Sequence, residues 1–257
     1  MKKGEIKRKN LLEEAEKLFF LKGYFPTGIN ELVEVFHCTK GSFYHHFSSK
    51  LQILSEVCAL RSEKAFAEYK KQSYLRNADR LNGLLYYALP FRTGEKQMLS
   101  MILPLAGSAE ADAVIQAVLR AQRAVFLPEM ERLLESMREK GECYFFQPAL
   151  PSLLFDAYAA LYQKLLSCCA VYVNTGARGP EIEAINAARF LFERLLDLPY
   201  GSMVIIDPDE AVSAAWNAAH IAAENGEPEV PKENAVLEEA RRAADFAQRN
   251  AEEADHE

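Results

Sequence analysis

The sequence predicts an all-α protein, and two observations carry that prediction. Apolar residues recur with helical period in almost every segment between the Gly and Pro breaks. No segment bounded by turn residues alternates apolar and polar side chains, and only residues 143–146 have an extended pattern. The length of 257 residues, 49% of them hydrophobic, suits two modest domains or one large one.

Four helices fit within residues 1–72. The first has an apolar stripe that runs from Leu11 to Phe19 at positions i, i+1, i+4, i+7 and i+8. Residues suited to end or cap a helix mark the boundaries, namely Gly23, Thr27, Thr39 and Ser49. The fourth helix is predicted to run to about residue 72, so this region is a compact helical unit.

Longer helices follow between the next breaks. The predicted spans are 75–91, 95–106, 110–140, 151–174 and 180–197. The apolar run from Leu153 to Val173 is long enough to cross a bilayer, but it contains Asp156 and Lys164. A charge near the middle of a bilayer costs about 2.5–3.5 kcal/mol. A buried helix is therefore predicted, and no membrane association.

Charge is distributed unevenly along the chain. The net charge is −7, yet residues 1–72 contain 13 Lys and Arg against 9 Asp and Glu, a balance of +4. Residues 201–257 contain 4 basic and 14 acidic side chains, a balance of −10, and few large apolar residues. We expect a mildly basic N-terminal region and a loose acidic helical tail, most simply a solvated surface, although it could also bind a partner or mimic DNA.

Several functional classes lack support. The basic start, Met1 to Lys9, leads into a helical pattern instead of an apolar signal core, which predicts a cytoplasmic protein. The sequence contains no GxSxG, no Gly-rich phosphate loop and no HExxH. We expect no enzyme and no cofactor.

Cysteine and histidine spacing predicts neither a disulfide framework nor a metal site. Five cysteines are odd in number and form no CxxC pair. Cys168 and Cys169 are either small buried thiols, which their apolar helix favours, or a thiol sensor. The neighbouring His45 and His46 point to different sides of a helix, so we expect DNA contact at the first and helix packing at the second.

Residues 27–50 have the layout of a helix-turn-helix, with a two-turn helix, a tight turn and a second short helix that is polar on one side. Phe43 and Phe47, at i and i+4, are predicted to fix its inner face, and Gly41 would let the backbone approach a sugar-phosphate wall. The side chains suited to donate to phosphates are Thr27, Thr39, Ser42, Tyr44 and Lys50.

The run from Thr39 to Phe47, followed by Ser49 and Lys50, resembles the signature around the recognition helix of the TetR family of bacterial transcriptional regulators. The resemblance covers residues 11–54. It implies that the residues at or near DNA are Thr27, Thr39, Lys40, Gly41, Ser42, Phe43, Tyr44, His45 and Lys50. Among these it implies phosphate contacts for Tyr44 and Lys50, and base contacts for Lys40 and His45.

Two positions depart from the family pattern. His37 stands where a glycine is usual, so a turn that needs a positive φ would be strained there. Leu51 replaces the usual acidic residue near the start of the fourth helix. A basic leader is expected to add electrostatic affinity for DNA through Lys2, Lys3, Lys7, Arg8 and Lys9.

The resemblance implies a DNA-binding domain at residues 1–49, a helical effector-binding and dimerisation domain at residues 50–200, and the acidic tail at residues 201–257. It further implies a transcriptional regulator, most simply a repressor, that binds a palindromic operator in double-stranded DNA as a homodimer and responds to an unidentified small-molecule effector. The alternative is a helical small-molecule or protein-binding module that has lost DNA binding.

The dimer interface is predicted on helices 151–174 and 180–197, which would form a four-helix bundle with their mates. Its candidate contacts are Leu154, Tyr158, Leu161, Leu165, Phe190 and Leu195. An effector is expected among helices 75–174, and about a third of their aromatic residues would line its site. Those aromatic candidates are Tyr86, Tyr87, Phe91, Phe126, Phe145, Phe146, Phe155, Tyr158 and Tyr162.

Overall fold

The computed structural model describes residues 3–92, 95–106 and 111–224, and within them the chain forms α-helices, a 3₁₀ turn at Leu103–Leu105 and no strand. The helices in chain order are α1 Lys3–Lys22, α2 Ile29–Val35, α3 Lys40–His46, α4 Lys50–Lys71, α5 Asn77–Ala88, α6 Lys96–Ile102, α7 Ala111–Glu139, α8 Leu150–Thr175, α9 Pro180–Leu195 and α10 Pro208–Glu224. The all-α prediction is confirmed.

The long helix α4 joins the two ends of the molecule. It packs against α1 in the N-terminal domain and against α5 and α7 in the body. Its start is capped by Ser49, whose hydroxyl accepts from the Gln52 N–H at 3.1 Å, as predicted. Any displacement of α4 in the body is therefore carried to the N-terminal domain within one element.

The helix α8 lies in the core of the body, in contact with α7, α9 and α10. One face is buried from Pro151 to Cys169. Within the described residues, no helix combines the length and the apolar run that a bilayer crossing requires. The prediction of a buried helix over this segment is confirmed.

The tail does not begin at residue 201. Met203, Ile205 and Ile206 are at most 2% exposed, and α10 packs against α6 and α8. Asn82 of α5 holds this segment: its amide donates to the Ser202 carbonyl at 2.8 Å, and its oxygen accepts from the Val204 N–H at 2.8 Å. The body thus extends to residue 224, and only residues 225–257 of the predicted tail lie outside the described residues.

Four of the five thiols are buried, namely Cys58, Cys143, Cys168 and Cys169. Burial raises the pKa of Cys169 to about 12 and also raises the pKa of Cys168, because the thiolate form is disfavoured away from water. These pKa directions favour small buried thiols over a thiol sensor on α8.

Candidate nucleic-acid interface

The helix-turn-helix is set by local caps. Gly23 ends α1 at a φ of 87°, and the Gly28 N–H donates to the Glu31 carboxylate at 2.9 Å to open α2. A hydrogen bond from Lys22, together with that of the Gly28 N–H, lowers the pKa of Glu31. The Thr39 hydroxyl accepts from the Ser42 N–H at 3.2 Å and opens α3. The cap predicted at Thr39 is confirmed, whereas the cap of α2 is Gly28 and not Thr27.

The turn between α2 and α3 has a residue other than glycine at a positive φ. His37 has a φ of 49°, in the left-handed region that favours glycine. Its N–H donates to the Glu34 carbonyl at 2.9 Å, and the next residue, Cys38, donates to the Val33 carbonyl at 3.2 Å. These bonds close the C-terminus of α2 in spite of the side chain at His37.

The inner face of α3 is aromatic. Phe43 and Phe47 are buried, and the ring centroid of Phe36 lies 6.1 Å and 6.0 Å from theirs. Such contacts fix α3 on α2 because the rings fill the space between the two helices. The prediction that Phe43 and Phe47 form the inner face is confirmed. Phe43 is at the same time removed from the DNA-contact set, since its side chain has no exposed surface.

The outer face of α3 is polar and open to solvent. Five residues of the predicted set are exposed and Ser42 is half-buried. The exposed five are Thr39, Lys40, Gly41, Tyr44 and His45. One side of a seven-residue helix therefore presents an ammonium, a phenol and an imidazole together, with hydrogen-bonding groups suited to both base edges and phosphates.

Glycine at position 41 has no packing role within the described residues. A Cβ there would meet only the Thr39 hydroxyl oxygen, at 4.0 Å, so nothing in the chain itself excludes a side chain. Any need for glycine at this position would have to come from a surface that approaches α3 from outside.

Two predicted phosphate donors are turned inward. The Thr27 side chain is fully buried and its hydroxyl donates to the Gly23 carbonyl at 2.7 Å. The Lys50 ammonium is buried as well, and donates to the carbonyls of Tyr24 and Thr27 at 3.1 and 3.0 Å. Both side chains stabilise the link between α1 and α2, because they satisfy carbonyls that the chain reversal leaves without helical partners. Neither offers a free donor to a phosphate.

Arg8 also acts within the chain. Its guanidinium pairs with the two carboxylate oxygens of Glu56 at 2.9 and 2.6 Å, and Nη1 donates to the His46 carbonyl at 2.8 Å. It therefore satisfies the C-terminus of α3, and it stacks over the Phe47 ring. The sequence around Arg8 predicts only a basic leader and not these contacts, because the partners lie 38 and 48 residues away along the chain. The side chains of Lys2, Lys3 and Lys7 lie outside the described residues, and Lys9 is exposed.

The six predicted dimer contacts fall into a buried group and an exposed group. Leu154, Tyr158, Leu161 and Leu165 on α8 are buried in the core of their own chain. This burial corrects the prediction for those four. The remaining two lie on α9 and are exposed, Phe190 at 54% and Leu195 at 42%.

A cavity lies where the effector is expected, between α4, the end of α5 and α7. Of the nine aromatic candidates, Tyr87 and Phe126 line it. Its polar lining comes from Arg61, Ser62, Arg92, Glu95 and Gln122, none of which the sequence predicts as an effector contact. These residues come from α4, the connection between α5 and α6, and α7, so no single local motif contains them.

A comparison with protein families finds a match over the region that contains the helix-turn-helix. The family of bacterial regulatory proteins of the tetR type matches residues 11–57. The transcriptional regulator QacR of Staphylococcus aureus is 29% identical over 83 residues, which are 32% of this chain and 44% of QacR. LmrA of Bacillus subtilis is 34% identical over 65 residues, 25% of this chain and 32% of LmrA. The chain thus spans less than half the length of either relative.

One solved structure is similar to this chain at low sequence identity. GusR of Salmonella enterica is 15% identical, covers 77% of this chain and 98% of its own, and has a TM-score of 0.49. The family match falls on α1 to the first part of α4, the elements that build the outer face of α3. Over residues 11–57, the N-terminal domain of this chain is thus similar to that of the tetR family of bacterial regulatory proteins.

Proposed function

We propose that the chain is a sequence-specific DNA-binding transcriptional regulator, a ligand-responsive repressor that binds a palindromic operator as a homodimer. The observation that carries the proposal is the division of α3 into a buried aromatic face and an exposed polar face. A short helix held in this way can enter the major groove with its polar side toward the bases. Lys40 and His45 are the residues assigned to bases, and Tyr44 is assigned to phosphate.

A gel-shift assay with the DNA upstream of the chain's own gene tests DNA binding. Lys40→Ala is expected to weaken the specific complex and relax its sequence preference, because a base contact is lost. Lys140→Ala, which removes the same charge from an exposed site just after α7, serves as the matched control and should bind as the wild type does. If the wild type forms no salt-sensitive specific complex, the result would favour a helical binding module without DNA-binding activity.

The homodimer is proposed because one helix-turn-helix contacts too few bases for specificity, and two related by a two-fold axis read half-sites about 34–36 Å apart. The proposed interface is the outer side of α8 and α9. Exposed apolar side chains cluster there, including Leu153 on α8 and Phe190, Leu191 and Leu195 on α9. A second copy that packs on them would remove this apolar surface from water.

Sedimentation of the full chain tests the interface. The wild type is expected to sediment as a dimer, and Phe190→Asp together with Leu195→Asp should give a folded monomer, because charges would be buried in an apolar contact. Tyr144→Asp, at a 53% exposed aromatic residue outside α8 and α9, is the control and should leave the dimer intact. A monomeric wild type, or a dimer in both variants, would contradict this interface.

The effector is proposed to bind in the body at the cavity beside α4 and to act through that helix. The ligand must prefer the conformation that does not fit the operator, and a hundredfold preference corresponds to about 2.7 kcal/mol. Because α4 contacts both α7 and α1, a shift of α4 at the wall of the cavity also moves the N-terminal domain. The orientation of α3 relative to DNA changes as a result.

A further inference from the structure

The cavity beside α4 is small and has a mixed lining. Its volume is about 30 Å³, enough for one or two water molecules. Tyr87, Phe126 and Met98 form part of its apolar wall. The other part is polar, and it contains two buried polar side chains, Arg92 and Gln122, each 6% exposed.

Arg92 and Gln122 each have an unused hydrogen-bonding atom. Among the described residues, Arg92 Nε and Gln122 Oε1 have no partner although both are buried. The Gln122 amide nitrogen is already engaged, since it donates to the Ala88 carbonyl at 2.5 Å. One vacant donor and one vacant acceptor thus belong to residues that line the same cavity. A group that both accepts and donates, such as a hydroxyl or an amide, satisfies both.

The charges around the cavity are already balanced. Arg61 and Arg92 are surrounded by three carboxylates, which are Glu16, Glu68 and Glu95. The ammonium of Lys64 lies 3.7 Å from Glu16 and supplies the third positive charge. Because each guanidinium already has carboxylate partners, the site has no spare charge for an anion or a cation. A neutral ligand avoids the cost of burying an unmatched charge.

The same ion pairs connect the cavity to the N-terminal domain. One oxygen of Glu95 accepts from Arg92 Nη2 at 2.8 Å, and the other accepts from Arg61 Nη2 at 2.6 Å. Arg61 Nη1 then donates to Glu16 on α1 at 2.9 Å. Burial opposes the charged form of Arg61, but Glu95 and Glu16 outweigh it and raise the pKa of Arg61, which favours the charged guanidinium.

We propose that this cavity takes the polar end of a small neutral effector, whose hydroxyl or amide group accepts from Arg92 and donates to Gln122, and that binding is transmitted to α1 through Glu95 and Arg61. The inference rests on the proposed function as a ligand-responsive regulator. Since the cavity holds only a water or two, a larger ligand must displace the helices around it. One of them is α4, which carries Arg61, so entry of the ligand disturbs the contact with Glu16.

Thermal unfolding of the full chain with four probes of similar size tests the ligand class. Benzyl alcohol and benzamide match the vacant donor and acceptor and the aromatic wall, and are expected to raise the Tm more than benzoate or toluene. Gln122→Leu should abolish this difference between probes. Gln116→Leu, at an exposed position on the same helix, should retain it. No rise with either neutral polar probe, or an equal rise with benzoate, would overturn the ligand class.

The affinity for upstream DNA, measured by fluorescence anisotropy, tests the transmission. Saturating benzyl alcohol is expected to weaken DNA binding by the wild type about five-fold or more. Glu95→Gln should bind the probe but lose this effect, whereas Glu63→Gln, at an exposed position of α4 away from the cavity lining, should keep it. An equal loss of affinity in wild type and Glu95→Gln, or none in the wild type, would overturn the transmission. A wild type that binds no DNA would overturn the proposed function, while the probe-dependent Tm would still decide the ligand class.

Discussion

The caps that position α3 in the N-terminal domain and the polar contacts inside the body differ in the distance along the chain between the two partners. In the N-terminal domain, the caps at Gly28 and Thr39 join residues three apart. In the body, the Arg61–Glu95 bonds span 34 residues and the bond from Asn82 to the Ser202 carbonyl spans 120. A surface built from one short helix can therefore be predicted from the local sequence, whereas a polar core assembled from distant segments cannot.

The largest expected effect concerns the end of the body. Truncation after Gly201 removes Met203, Ile205, Ile206 and Val212 from the core, and at about 2 kcal/mol for each buried side chain the loss is on the order of 8 kcal/mol. This is comparable with the ~5–15 kcal/mol stability of a whole domain. We expect an unfolded or insoluble product by circular dichroism.

A chain ending at Glu224 is the matched control for that truncation. It keeps all of the described core, and it should fold with a near wild-type Tm. Its DNA binding, compared with that of the full chain over a range of salt concentrations, would also reveal whether the acidic residues 225–257 repel DNA. A folded dimer from the chain that ends at Gly201 would instead support the tail boundary predicted at residue 201.

Next in size is the loss of the buried amine in the N-terminal domain. Lys50→Ala leaves the carbonyls of Tyr24 and Thr27 without their charged donor, which costs about 2 kcal/mol in the free energy of unfolding. Urea titration would measure that loss. Lys40→Ala, at an exposed lysine, should leave the stability unchanged. A Lys50→Ala protein of unchanged stability whose DNA binding depends less steeply on salt would instead support a phosphate contact for Lys50.

Gly41→Ala separates stability from binding on the outer face of α3. Alanine favours a helix over glycine by up to about 1 kcal/mol, and a Cβ meets nothing closer than 4.0 Å, so we expect equal or higher stability. If DNA approaches this backbone, the same variant should bind more weakly. Unfolding and gel-shift measurements on one preparation provide the test, and unimpaired DNA binding would show that α3 does not approach a groove wall at this point.

The smallest effect is the pH dependence of the cap on α2. Because the pKa of Glu31 is lowered from about 4.5, its charged form stabilises the fold above that pH, and the contribution is lost as the pH falls through the lowered value. Glu31→Gln should therefore be less stable than the wild type at pH 7, by about 0.5 kcal/mol, and the difference should shrink as the pH falls toward 3. Thermal unfolding at both pH values measures the difference; a gap that persists at pH 3 would assign the effect to packing.

The candidate site was predictable to the extent that its geometry is local. The i, i+4 spacing of Phe43 and Phe47 indicates which side of α3 faces inward, and so which residues remain outside. Thr27 and Lys50 match the same motif, but their environment depends on the carbonyls of the link between α1 and α2. A motif specifies residue types at positions in the chain, and does not specify what surrounds them after packing.

The sequence by itself determined the helical class, the caps at Thr39 and Ser49 and the polar outer face of α3, because each depends on residues within about one or two turns of a helix. Only the tertiary structure decided that Lys50 and Arg8 are bound within the chain, and that Glu16, Arg61 and Glu95 join the body to α1. It also decided that α10 belongs to the core. These contacts form between elements distant in sequence, where the partner is chosen by packing and not by periodicity.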